Sequence, residues 1–331
     1  MNKQNSARLT RRNALLMASA GLLTAALPGA AQAKWPDKPV RLILPFGAGG
    51  VADVTARILA DKLGDKLGQR FVVENIPGPG GIQAARAVIG AAPDGYTMGL
   101  VTNGTAISVA AFNKLPFDPV NEMAMISTLG LFDLVFVVNP ESSYKTLGDF
   151  IKAAKAQPGK LNIGTIAVGG TQNLGAELFK SMADINVIIV PYKNSPDIVV
   201  ALLRNDVQML VEFPPAVQGQ VNAGKLKILA TSAAQRSPAR PDVPTVAEAG
   251  VPGYEVTSWN AVFAPKGTPP EIIAAMNKAM HEVLALPDLK EQYAKVGVIA
   301  QASTPDELMA RLKADIKKWN DVIDKAGIPR K

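Results

Sequence analysis

The chain has 331 residues, with 35 Lys and Arg against 28 Asp and Glu, no cysteine and a single histidine. The missing cysteines exclude disulfides, thiolate metal sites and thiol nucleophiles, and a histidine triad or metal cluster would have to rest on His281 alone. No basic run is interleaved with aromatics, which excludes the electrostatic footprint of nucleic-acid binding.

The first 33 residues have the build of an export leader. Arg8, Arg11 and Arg12 precede the apolar run "ALLMASAGLLTAAL", and Ala31-Gln32-Ala33 forms a small-residue cleavage site. The run stops at Pro28, short of the ~20 apolar residues that a membrane span needs. The mature chain is therefore expected to start near Lys34 in the periplasm, with Arg11-Arg12 pointing to the twin-arginine route. Removing the leader takes away four basic residues and no acidic ones, leaving 31 against 28 and a net charge of +3.

Beyond the leader, short β-type runs alternate with longer helical ones, the mark of an α/β protein with largely parallel sheet. Strands are predicted over 40–44, 71–74, 97–101, 134–138, 161–165, 187–190, 207–211 and 226–231. A helix is predicted over 51–67. Ala52, Ala56, Leu59, Leu63 and Leu67 line one face of it while Val51, Val54 and Ile58 lie opposite, so both sides should be packed. Helix starts are marked by capping patterns at Thr146 to Asp149, at Thr268-Pro269-Pro270-Glu271 and at Thr304-Pro305-Asp306-Glu307. His281, in "NKAMHEVLAL", is expected on a helix surface.

Two glycine loops stand out. "VRLILPFGAGGVADVTARIL" is strand, loop, helix, and "LNIGTIAVGGTQNLGAELF" repeats those elements about 120 residues later. A helix N-terminus leaves backbone N–H groups unpaired at the positive end of the dipole, and glycine lets a ligand approach them closely. Neither loop contains Lys or Arg. Anion binding would rest on backbone amides, the hydroxyls of Thr165 and Thr171, and the amides of Gln172 and Asn173. Hydrogen bonds to a charged group give ~1.5–3 kcal/mol each, so three or four offer ~5–12 kcal/mol before ordering costs; a micromolar ligand needs ~8 kcal/mol net. Two facing loops could thus hold a small carboxylate. Gly47 to Ala52 also fits the dinucleotide pattern G-x-G-x-x-G/A, with Glu74 near where a ribose ligand would stand, and a purely structural turn is a further alternative.

Ordered motifs along the mature chain, among them "WPDKPVRLILPFGAGGVADVTARILADKL", "VVENIPGPGGIQAARAV", "PDGYTMGLVTNGT", "VPYKNSPDIVVALL" and "RPDVPTVAEAGVPGYEVTSWNAVFAPKGTP", resemble the Bug family, the extracytoplasmic solute receptors of tripartite tricarboxylate transporters. The resemblance implies a two-lobed α/β fold of the periplasmic-binding-protein type (type II), each lobe a mixed sheet flanked by helices. It implies a monomer without cofactor, metal or catalytic residue, and delivery of a small organic acid to membrane permease subunits. Lobe 1 is expected to span residues 34–133 and 260–331, lobe 2 residues 134–259, with crossings near 132–134 and 257–260. The ligand-binding set expected from the two loops and the matching motif positions is Phe46, Ala48, Gly49, Gly50, Asp53, Asn103, Thr165, Gly169, Gly170, Thr171, Asn173, Glu212 and Trp259. Family members usually carry Pro-Pro where this chain has Gly47-Ala48, and often His where it has Asn173 and near Ala106.

Single residues keep bland readings beside these. Asp53 is placed to pair with Arg57 one helical turn on, Trp259 serves equally as pocket wall or hinge packing, and "IPGPGG" is a rigid turn. Glu212, at the carboxyl end of a strand, would favour a ligand hydroxyl or ammonium and repel a second carboxylate. The competing functions are a loaded receptor read by a sensor protein, and a secreted enzyme acting on a small acid through groups such as Lys193 or Glu212.

Overall fold

The computed structural model describes residues 35–166, 168–237 and 240–330; the expected leader and its cleavage site lie outside them. In chain order the first elements are β1 (Val40–Leu44), α1 (Val51–Leu67), β2 (Phe71–Asn75), α2 (Ile82–Ile89), β3 (Thr97–Thr102), α3 (Asn103–Ala111) and β4 (Met123–Asp133). Next come β5 (Val135–Val138), α4 (Leu147–Ala156), β6 (Asn162–Ile166), α5 (Thr171–Met182), β7 (Ile188–Tyr192), α6 (Ser195–Leu203), β8 (Met209–Glu212), α7 (Pro214–Asn222) and β9 (Lys227–Thr231). The chain closes with β10 (Thr257–Pro265), α8 (Pro270–Leu284), α9 (Pro287–Lys295), β11 (Ile299–Ala300) and α10 (Pro305–Ala326). "IPGPGG" forms a short 3-10 turn at Pro79–Gly81.

These elements make a two-lobed mixed α/β architecture. One sheet runs β11-β4-β10-β3-β1-β2 and the other β7-β6-β8-β5-β9. The two share a plan. In each, the strand next to one edge (β1, β6) feeds a helix and returns as the parallel edge strand (β2, β7). A second parallel neighbour follows on its other side (β3, β8), and beyond that an antiparallel strand (β10, β5). The carboxyl ends of β1 and β6 both open into the glycine loops, where open α/β sheets bind ligands.

Packing explains the elements. Val40, Leu42 and Leu44 on β1 are fully buried, each side chain contributing ~1.5–3 kcal/mol by leaving water. α1 packs on β1 and β2 and also against α8 and α9, as its two apolar sides require. The long antiparallel pair β4 and β10 runs from Met123 opposite Pro265 to Asp133 opposite Thr257, and both strands continue into the other sheet's segments. Ser232 ties these crossings together. Its Oγ accepts from Leu134 N at 2.8 Å and donates to the Val256 carbonyl, and Val256 N donates to Ser232 O at 2.8 Å.

Some expectations shift. In the second half, several strands lie one or two residues later than predicted, and β4, β10 and β11 are strands outside the predicted set. The capping boxes at Thr146 and Thr304 form, with Asp149 and Glu307 as partners. Thr268 does not cap α8: its hydroxyl donates to Pro265 O at 2.8 Å within the preceding turn, and Pro269 takes the cap position. His281 is exposed on α8, its Nε2 3.2 Å from Ser303 O.

Candidate functional site

The first loop starts where β1 ends at Leu44. Gly49 adopts φ 84°, a left-handed conformation that glycine takes without cost, and Gly50 then caps α1 at φ −78° and ψ 170°. Asp53, one turn into the helix, reaches back to accept from Gly49 N at 2.9 Å. In the second loop Gly169 has φ 79° and Gly170 caps α5 at φ −79° and ψ 165°, while Asn173 Oδ1 accepts from Gly169 N at 3.0 Å. Gly49-Gly50-Val51-Ala52-Asp53 therefore repeats as Gly169-Gly170-Thr171-Gln172-Asn173, with the same backbone and the same strut. The self-similarity, visible in the sequence only as element type, extends to single residues.

The strut fixes which amides remain available. The first backbone bonds of the helices run from Val54 N to Gly50 O (3.0 Å) and from Leu174 N to Gly170 O (2.9 Å), so the N–H groups just before them lack helical partners. A Cβ built on Gly47, Gly49, Gly50 or Gly169 meets nothing within 4 Å, so open space lies over both entrances. Asn103, at the start of α3, joins the two sides: its Nδ2 donates to Thr171 Oγ1 at 3.1 Å while its Oδ1 accepts from Trp319 Nε1 at 2.8 Å.

A sequence profile described as tripartite tricarboxylate transporter family receptor matches residues 55–328. The chain belongs to that family. Protein BugT of Bordetella pertussis is 34% identical to this receptor over 325 residues, covering 98% of each chain. Among solved structures, an R. palustris protein with adipate shares 32% identity at a TM-score of 0.76, over 90% of this chain and 100% of that one. MatC from Rhodopseudomonas palustris with bound malate shares 29% at 0.71, over 87% and 100%.

The receptor sorts its sequence-predicted residues into distinct positions. Phe46 (39% exposed), Ala48, Gly49, Gly50, Gly169, Gly170 and Thr171 form the accessible lips of the loops. Asp53 and Asn173 are buried struts beneath them, and Thr165 supports Asn173, accepting from its Nδ2 at 3.4 Å. Asp53 also binds Arg57 and Asn75, and the Arg57 guanidinium foremost, with Gly49 N and Asn75, holds its carboxyl down at about 2 against the opposing cost of burial. Glu212 is buried and accepts from Gln172 Nε2 (2.7 Å), Ser195 Oγ (2.6 Å) and Phe213 N (2.7 Å). Trp259 is fully buried and its indole donates to Asp315 Oδ2 at 2.6 Å, beside the crossing.

The dinucleotide alternative loses its acid, because Glu74 is engaged by Arg41 through two bonds of 2.7 Å. Sequence reasoning missed Val168 (53% exposed), Ser195 and the brace Asn75. Val168 stands one residue before Gly169, as Ala48 stands before Gly49, so the G-G-x-x-[DN] repeat was a signal that could have found it. A groove of about 1180 Å³ lies apart from the loops, between α5 and α10, lined by Glu177, Lys180, Lys317 and Asp321 among others. Among the described residues no group of three or more His, Asp or Glu side chains is arranged to hold a metal ion.

Proposed function

We propose that this receptor captures one carboxylate group of a small organic acid between the two glycine loops and delivers the acid to the membrane permease subunits of a tripartite transporter. The observation that carries the reading is the matched pair of helix entrances, each glycine-rich and each braced by a strut four residues on. Backbone amides at such an entrance favour an anion through both hydrogen bonds and the helix dipole. The adipate and malate held by two of the related structures are small carboxylates, and they support that ligand class.

In this reading the ligand-binding set is Phe46, Ala48, Gly49, Gly50, Val168, Gly169, Gly170 and Thr171 at the surface. Asp53, Asn173, Thr165 and Glu212 position them, and Asn103 links the sides. The lobes are residues 34–133 with 260–331, and 134–259, moving about the crossings that Ser232 ties. The receptor works as a monomer in the periplasm after cleavage near Ala33, with Arg11-Arg12 directing export by the twin-arginine route, and it performs no catalysis.

A thermal-shift panel of mono-, di- and tricarboxylates with NAD as control tests the reading. An acid at 100 times its Kd should add ~2.7 kcal/mol to the stability. A shift with NAD and none with any acid contradicts it.

A further inference from the structure

Glu212 ends β8 where three helices begin. Gln172 is the second residue of α5, Ser195 the first of α6, and Phe213 the cap of α7, and each donates to the Glu212 carboxylate. A carboxylate only accepts hydrogen bonds. Gln172 must therefore turn its Nε2 toward Glu212, and Ser195 commits its single proton there. What Ser195 has left is lone pairs, and Gln172 keeps its Oε1 beside one remaining amide proton. Gln172 is 5% exposed, and among the described residues no donor reaches that Oε1. The cluster therefore offers mainly acceptor groups, backed by a buried negative charge that no Lys or Arg pairs with among the described residues.

The first sheet is built differently at the matching place. β3 ends at Thr102, a neutral residue, and the strut Asp53 is neutralised by Arg57 at 2.9 Å. The second sheet has the neutral strut Asn173 and the unpaired charge of Glu212. The two sides of the site thus share their loops and differ in polarity. Gln172 follows directly on Thr171 of the second loop, which places the cluster beside that loop's helix entrance.

Resting on the proposed carboxylate site, we infer that the Gln172, Ser195 and Glu212 cluster selects acids that carry a hydroxyl or ammonium group next to the bound carboxylate, and disfavours the same acids without one. A donor there meets Ser195 Oγ and Gln172 Oε1; an unsubstituted acid leaves these acceptors unpaired. Sites built to bind a substrate hydroxyl discriminate strongly for this reason.

Calorimetric titration with succinate, malate and aspartate tests the inference, using the wild-type protein, Glu212→Gln and Ser195→Ala, each checked for a cooperative melt. Malate and aspartate should bind the wild type at least about tenfold more tightly than succinate, as a hydrogen bond to a charge-backed acceptor contributes. The preference should shrink to about threefold or less in both variants, aspartate suffering most in Glu212→Gln. Equal binding of the three acids to the wild type overturns the inference and leaves the carboxylate reading intact. A preference that survives in the variants also overturns it. Should Glu212→Gln fail to fold, Ser195→Ala decides. If the wild type binds none of these three acids but another carboxylate of the thermal-shift panel, the inference is overturned and the carboxylate reading stands; if it binds no carboxylate of the panel, the carboxylate reading itself falls.

Discussion

Replacing Asp53 by Asn separates what the first loop owes to shape from what it owes to charge. The second loop already uses an amide in this place, since Asn173 Oδ1 holds Gly169 N at 3.0 Å as Asp53 Oδ2 holds Gly49 N at 2.9 Å. Asn at 53 keeps that acceptor and loses two partners. Arg57 is about half exposed (49%), so its ion pair contributes ~0.2–1 kcal/mol, and the bond from Asn75 Nδ2 adds ~1 kcal/mol. The variant should be ~1–2 kcal/mol less stable at pH 7, a few degrees in Tm. Its affinity for the tightest-binding acid should stay within about threefold, because the amides keep their aim. Asp53→Ala frees the loop, and re-ordering two or three residues on binding at ~1–2 kcal/mol each should weaken affinity by roughly 10-fold or more. The stability difference between wild type and Asp53→Asn should hold above about pH 4 and vanish as the pH falls toward 2, since the folded-state carboxyl titrates at about 2. Denaturant melts and calorimetry measure both. An Asp53→Asn affinity as poor as that of Asp53→Ala would refute the shape argument.

Other outcomes follow from the core and the crossings. Gly99→Ala places a Cβ 2.6 Å from Val88 Cγ2 and 3.2 Å from the Ile43 carbonyl oxygen, so urea unfolding should show a loss of ~1–3 kcal/mol; unchanged stability contradicts it. Trp259→Phe removes the donor to Asp315, which among the described residues then keeps Lys318 at 3.3 Å, and should cost ~2–3 kcal/mol, against no loss if the indole bond is incidental. Asp133, at the crossing, has its pKa raised to about 6 by burial first and by Glu255 second, with Arg240 opposing. The folded state thus holds this proton more firmly than the unfolded one, and stability falls as pH rises from about 4 through 6. Asp133→Asn should then stabilise the protein by ~1–3 kcal/mol at pH 7.5 and hardly at all at pH 4; a pH-independent difference contradicts that.

The local signals were strong where one segment decides its own structure. α1 begins and ends at Val51 and Leu67 as its apolar spacing and the flanking glycines require, and Thr146 and Thr304 cap as their partners three residues on dictate. β4 and β10 gave no such signal. β10 is buried along its whole length, so "TSWNAVFAP" shows no alternation of apolar and polar residues, and Ser, Thr and Gly in β4 mask it as a loop. Thr268 misled because its hydroxyl had a nearer acceptor in the preceding turn. The glycine loops were legible, and so was Glu212 at a strand's carboxyl end. Its partners were not: Gln172 lies 40 residues away and Ser195 17, and only the parallel order β6, β8 with helices returning between them brings the three together.

A carboxylate held between the two matched helix entrances would be visible directly. A crystal structure of the receptor with its tightest-binding acid provides the test. Carboxylate oxygens should lie about 3 Å from backbone nitrogens within residues 48–51 and 168–171, distances typical of N–H···O bonds. Carboxylate density anywhere else, such as the groove between α5 and α10, with both loops empty, would contradict it.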